Sequence, residues 1–227
     1  MALRSQFTEL ALCSGIGMLS EGLRAGLEYL GFDHRVVCHV ERDAYAAATL
    51  VARMGDSSMD HAPVWDSHET FDGRPWRGKV DIVSAGLPCQ PYSHAGKQIG
   101  NSDRRSYGDG DGPIPHALRI IAECQPAVVF FENVPAWVSG GWFRPVGEEL
   151  CRLGFTLESP LFITAESVGA SHRRERVFIM AHRPLARSWL LPKSARRHTA
   201  TDTNGGGDNM AVTTGGLALV IPVMSAE

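Results

Sequence analysis

Three kinds of reactive side chain stand at strand ends in this sequence. Cys89 lies in Ala85-Gly86-Leu87-Pro88-Cys89-Gln90-Pro91-Tyr92-Ser93, between two prolines and just after the apolar run Val80-Asp81-Ile82-Val83-Ser84. Glu132 ends a second apolar run, Ala127-Val128-Val129-Phe130-Phe131, and is followed by Asn133-Val134-Pro135. Arg174 and Arg176 belong to the cluster His172-Arg173-Arg174-Glu175-Arg176. A thiolate is a good nucleophile once nearby positive charge lowers its pKa. A buried carboxyl group with a pKa near neutrality can give a proton to a ring nitrogen. A guanidinium holds a carboxylate, carbonyl or phosphate in fixed geometry. No histidine pairs obviously with Cys89, His94 being the nearest in sequence, which speaks against a cysteine hydrolase.

The elements that must position these groups read as an α/β alternation. Thr8–Cys13 is a first strand, followed by the turn Ser14-Gly15-Ile16-Gly17 and a helix over Met18–Leu30. Such a turn lets backbone approach a ligand at a helix N-terminus. A second strand, Arg35–Val40, ends in Glu41, and a helix capped by Asp43 runs to Met54. An acid at that strand end, roughly 20 residues after the glycines, commonly accepts hydrogen bonds from a ribose. Pro63–Asp66 is a short third strand and Val80–Ala85 a fourth. Residues Gln90–Pro115 form a long, glycine-rich segment with Lys97, Arg104 and Arg105, placed to touch phosphates. Helices are expected at His116–Cys124 and Trp142–Leu153, and strands at Phe155–Thr164 and Val177–Ala181. Residues 1–183 therefore read as one catalytic domain. Residues 184–227 read as a linker and flexible tail, ending in the apolar run Leu217–Val223.

The composition is that of an ordinary globular chain: 227 residues, 44% hydrophobic and 21% charged. No run has the length of a membrane span, and the amino terminus lacks an apolar signal core, so a cytoplasmic protein is expected. The five cysteines, Cys13, Cys38, Cys89, Cys124 and Cys151, include no Cys-x-x-Cys pair. That spacing and the odd count argue against a disulfide framework or a zinc site and for a reducing compartment, with no metal expected. The net charge of −3 lacks the basic excess common in nucleic-acid binders, although basic residues do cluster locally.

The order Ser-Gly-Ile-Gly, strand-end Glu41, Gly-Leu-Pro-Cys-Gln-Pro-Tyr-Ser, Glu-Asn-Val and His-Arg-Arg-Glu-Arg resembles the DNA (cytosine-5)-methyltransferase family, from about Thr8 to Ala181. The resemblance implies a class I, Rossmann-like methyltransferase sheet, mostly parallel with one antiparallel strand. S-adenosylmethionine would lie over Ser14, Gly15, Ile16 and Gly17, bordered by Pro88, with Glu41 on the ribose and Asp66 near the adenine. Cytosine would be flipped out of double-stranded DNA. Cys89 would attack its C6, Glu132 would bond N3 and the exocyclic amine, and Arg174 would hold the base and orient Glu132. Gln90, Ser93, Arg104, Arg105 and Arg176 would face the DNA. The setting implied is restriction-modification in a bacterial or phage-type, nucleoid-associated protein.

The sequence departs from the family pattern at Met18, where a third glycine is usual, at Cys13, where an aromatic residue often stands, and at His172, usually glutamine. Only 45 residues follow His182, and none matches a target-recognition region. Three alternatives stay open at this point: the catalytic half of a split enzyme that needs a second subunit for recognition, a truncated inactive remnant, and an RNA cytosine-5 methyltransferase.

Overall fold

The computed structural model describes residues 6–87, 113–141 and 143–184, and the backbone of 212–214 and 217–219. Its centre is an eight-stranded sheet: β1 Gln6–Leu12, β2 Asp33–Val40, β3 Val64–Trp65, β4 Ile82–Gly86, β5 Val128–Asn133, β6 Thr156–Leu157, β7 Leu161–Thr164 and β8 Glu175–His182. The strand order is β3-β2-β1-β4-β5-β8-β6, with β7 also paired to β8. Neighbours are parallel from β3 to β5. Strand β8 runs antiparallel to β5, β6 and β7, so it is the one reversed strand of the sheet.

Helices α1 (Met18–Tyr29) and α2 (Ala44–Gly55) connect β1 to β2 and β2 to β3. The chain then crosses to the other side of β1 and enters β4, and helix α3 (Pro113–Cys124) leads to β5. Right-handed crossovers put α1 and α2 on one face and α3 on the other. The order reverses between β1 and β4, and open α/β sheets bind ligands at the carboxyl ends of strands beside such a reversal. The Ser14–Gly17 turn follows β1 there, and β4 ends beside it at Gly86.

The apolar patterning explains these elements. Ile114, Ala117, Ile120, Ile121 and Cys124 recur on one face of α3 and are buried against Val83, Ala85, Val129 and Phe131. Each of the three isoleucines contributes about 1.5–3 kcal/mol on burial. Asp43 caps α2, its Oδ1 accepting the Ala46 N–H at 2.8 Å. Alternation in β8 buries Val177, Ile179 and Ala181 on one face and leaves Arg176, Phe178 and Met180 half-buried on the other.

Two elements differ from the sequence reading. The helix expected at Trp142–Leu153 is preceded by a separate short one, α4 Ala136–Ser139, and itself spans only Arg144–Arg152 (α5). Gly140 and Gly141, the latter at φ 77°, end α4. The strand expected over Phe155–Thr164 splits into β6 and β7, since Pro160 between them has no N–H to give a ladder. In the tail, Val212–Thr214 (β9) and Leu217–Leu219 (β10) pair antiparallel with each other. No described helix is long and apolar enough to cross a membrane.

Candidate active site

The glycine turn is built by backbone geometry. Gly17 caps α1 at φ 88°, ψ 10°, a left-handed conformation that glycine adopts without a Cβ penalty. A Cβ there would lie 2.9 Å from Met59 Cε and 3.1 Å from Leu50 Cδ2, so the end of the Met59 side chain would have to shift as well. Gly15, at φ 54°, has nothing within 4 Å of an added Cβ and faces open space. Ser14 Oγ donates to Ala11 O at 2.8 Å, and Gly17 N–H donates to Ser14 O at 2.9 Å. Arg53, from α2, donates to Ile16 O at 2.5 Å and so holds the outside of the turn.

Glu41 lies against this turn. Its Oε2 accepts the Gly15 N–H at 2.6 Å and its Oε1 accepts the Asp43 N–H at 2.7 Å. Each carboxylate oxygen keeps a further lone pair for a ligand hydroxyl. The Glu41 N–H donates to Trp65 O at 2.9 Å, which brings the end of β2 to the end of β3. Asp66, the next residue, is exposed beside the half-exposed ring of Trp65.

The carboxylate at the end of β5 faces the end of β4. Glu132 pairs with Gly86 in the ladder, and its Oε2 lies 3.8 Å from where a Cβ on Gly86 would sit. Arg176 Nε donates to Glu132 Oε1 at 2.7 Å. Burial pushes the Glu132 carboxyl above its ordinary range, against the pull of the Arg176 and Arg174 charges and the Arg176 hydrogen bond. The guanidinium in contact with Glu132 is thus that of Arg176, placed on the DNA side by the sequence reading. Arg174 is exposed and acts on Glu132 through its charge. Arg176 sits inside β8, opposite Ile163 of β7, which fixes its aim; Arg174 precedes the strand. Alternation along Arg174-Glu175-Arg176 put both arginines on one face and could not rank them. Asn133 is buried, and its Oδ1 accepts the Val134 N–H at 2.8 Å.

Pro88, Cys89, Gln90, Ser93, Arg104 and Arg105 lie outside the described residues. Among the described cysteines, Cys13, at the end of β1, is a poor nucleophile: burial, with the Glu41 carboxylate adding to it, pushes its thiol up to about 12. No described group of three or more His, Cys, Asp or Glu side chains could hold a metal ion.

The sequence reading also missed a buried polar cluster beneath the site. Glu9, in the middle of β1, is fully buried; its Oε1 accepts from Ser20 Oγ of α1 at 2.9 Å and from Ser84 Oγ of β4. His34 Nε2 of β2 lies 2.8 Å from Glu9 Oε2. The available signal was a carboxylate inside the otherwise apolar strand Phe7–Leu12.

The model of C-5 cytosine-specific DNA methylases matches residues 7–205. The chain belongs to that family. It is 31% identical over 179 residues to the type II methyltransferase M.NgoMIV of Neisseria gonorrhoeae, covering 78% of this chain and 52% of that protein. It is 33% identical over 166 residues to M.PspPI of Psychrobacter sp., covering 71% and 37%. The chain therefore spans about half the length, or less, of these curated relatives. The Entamoeba histolytica methyltransferase EhMeth superposes with a TM-score of 0.59 at 17% identity, over 79% of this chain and 53% of that one, a likeness of fold. The mostly parallel, helix-flanked sheet is shared with that solved methyltransferase.

Proposed function

We propose that this chain is the catalytic part of a DNA cytosine-5 methyltransferase that acts on a cytosine flipped out of the duplex. The observation that carries the reading is the Glu132–Arg176 pair at the end of β5, set against the end of β4 from which Cys89 follows, with the Ser14–Gly17 turn on the adjoining strand. S-adenosylmethionine would supply an electrophilic methyl group on its sulfonium. The residues present suit it: open space at Gly15, free lone pairs on Glu41 and an exposed acid at Asp66. Ser14, Gly15, Ile16 and Gly17 would line it, Glu41 would take the ribose, Asp66 the adenine side, and Pro88 the border toward Cys89.

In this reading the Cys89 thiolate adds its electron pair to C6 of the cytosine. Glu132, whose carboxyl burial pushes above its ordinary range, gives a proton to N3, so the electron pair released from the ring double bond is available at C5. C5 would then take the methyl group, the C–S bonding pair staying on the sulfur of the departing S-adenosylhomocysteine; C5 would lose its proton to solvent, the pair left behind would restore the ring double bond and expel the Cys89 thiolate, and N3 would return its proton to Glu132, leaving 5-methylcytosine. Arg176 holds Glu132 in place, while Arg174 reaches toward the base. Gln90, Ser93, Arg104 and Arg105 lie in the segment that would follow the DNA strand. Phosphate contacts of that kind position the duplex, whereas base-edge contacts specify sequence.

Trapping with 5-fluorocytosine duplex DNA tests the reading. Fluorine cannot leave as a proton does, so an adduct that needs both S-adenosylmethionine and Cys89 would persist on a denaturing gel. A chain that binds the cofactor yet gives no adduct, alone or with a recognition subunit, would refute the covalent route.

A further inference from the structure

We infer that Glu9 is a positioning residue: its buried carboxylate sets the spacing between the glycine turn and the strand end that leads to Cys89. The inference rests on the reading of that turn as the S-adenosylmethionine site and names a group outside it that governs its geometry.

A single carboxylate oxygen, Glu9 Oε1, takes hydroxyl hydrogen bonds from two elements of the site. Ser20 is the third residue of α1, in the turn of helix that starts directly after Gly17, and is buried. Ser84 lies in β4, two residues before Gly86 and four before Pro88, pairs with Ala11 of β1, and is also buried. The second oxygen, Oε2, meets His34 of β2. The carboxylate therefore ties the start of α1 and the far part of β4 to one point in β1. The first of these would carry the methyl donor and the second leads to the nucleophile.

Stability alone does not explain a carboxylate at this position. Phe7, Leu10 and Leu12 around it are buried apolar side chains. Removing a carboxylate from water is costly even when it is paired, and well-packed apolar replacements are often as stable. An apolar side chain would fill the same volume but leave α1 free to slide or turn against β4. Directed bonds to two hydroxyls forbid that motion. Reactions between two bound groups are sensitive to displacements of about 1 Å, which can cost roughly 100-fold in rate.

The test measures S-adenosylmethionine affinity by calorimetry alongside thermal unfolding of the whole chain, at a temperature where every variant compared is folded. Glu9→Leu is expected to unfold near the wild-type midpoint and to bind at least about tenfold more weakly. Glu9→Gln, whose amide oxygen can still accept from both serines, is expected to keep affinity within about threefold. Ser20→Ala and Ser84→Ala are expected to weaken binding about threefold each, and the double variant by less than the product, because the two hydroxyls share one acceptor. A folded Glu9→Leu chain with wild-type affinity would overturn the inference. Should Glu9→Leu fail to fold, wild-type affinity in both serine variants would overturn it equally. A wild-type chain that binds no S-adenosylmethionine defeats the functional reading itself, and the inference falls with it.

Discussion

Arg176 Nε lies 2.7 Å from Glu132 Oε1, across the β5–β8 junction. Two opposed effects meet in this carboxyl group. Burial raises its pKa, and Arg176 with Arg174 draws it back toward the ordinary value. Arg176→Leu should therefore raise the Glu132 pKa further and loosen its orientation. In steady-state methylation assays kcat should fall by about 10²-fold, within the range of a positioned general acid. The alkaline limb of the pH profile, where a protonated Glu132 is lost, should move to higher pH. Arg174→Leu, which removes charge but no contact with Glu132, should move that limb in the same direction by less. Equal effects of the two substitutions would contradict the geometry.

Glu41 fixes the backbone of the turn on one side and offers lone pairs on the other. Glu41→Gln keeps one acceptor oxygen and loses the second, so either the Gly15 or the Asp43 N–H loses its partner. S-adenosylmethionine affinity should drop about tenfold, equivalent to roughly one charge-assisted hydrogen bond. Calorimetry would read this directly, with circular dichroism to check that the fold is retained.

Glycine positions in and beside α1 should respond oppositely to alanine. Gly17→Ala places a Cβ at positive φ and 2.9 Å from Met59 Cε, so stability should fall by about 1–3 kcal/mol. Gly22 lies in the exposed middle of α1 with nothing within 4 Å of an added Cβ. Gly22→Ala should stabilise by about 0.5–1 kcal/mol. Urea unfolding midpoints of the two variants give the comparison.

Mild acid should weaken the fold through two buried imidazoles. Burial lowers the His39 pKa, with Arg53 adding to it and Glu9 and Glu21 opposing. Burial likewise lowers that of His68, with help from His116 and Arg42 and opposition from Glu69 and Glu41. The unfolded chain, at about 6.5, then takes up protons before the folded one. Their stabilising effect is present above about pH 6.5 and is lost as pH falls from there toward the folded values. The urea midpoint should be lower at pH 5.5 than at pH 7.5. His39 is fully buried, and neither ring nitrogen has a hydrogen-bond partner among the described residues. His39→Leu should accordingly flatten this dependence; an unchanged slope would remove His39 from the explanation.

Thiol reactivity separates the cysteines. Burial pushes Cys13 and Cys124 up to about 12 and Cys38 up to about 11, whereas Cys151 is exposed. Brief iodoacetamide treatment at pH 8, followed by peptide mass mapping, should modify Cys151 and leave Cys13, Cys38 and Cys124 intact. If Cys89 is the nucleophile, it should be modified too, and added S-adenosylmethionine should change its rate. Protection of Cys89 under all conditions would count against that role.

The sequence by itself determined the order of strands and helices as far as β5, the glycine turn, the Asp43 cap and the strand-end positions of Glu41 and Glu132. These follow from local patterns: apolar runs make buried strands, an acid before a helix caps it, and glycine takes left-handed backbone. Tertiary structure decided what local pattern cannot carry. The β1–β4 reversal, set by strand order, brought the glycine turn to the strand that leads to Cys89. The antiparallel seating of β8 aimed Arg176 rather than Arg174 at Glu132. Glu9, Ser20, His34 and Ser84 lie up to 75 residues apart and look like unrelated polar residues along the chain. Only packing three strands and a helix together turns them into one cluster, because a buried carboxylate must find its partners wherever the fold supplies them.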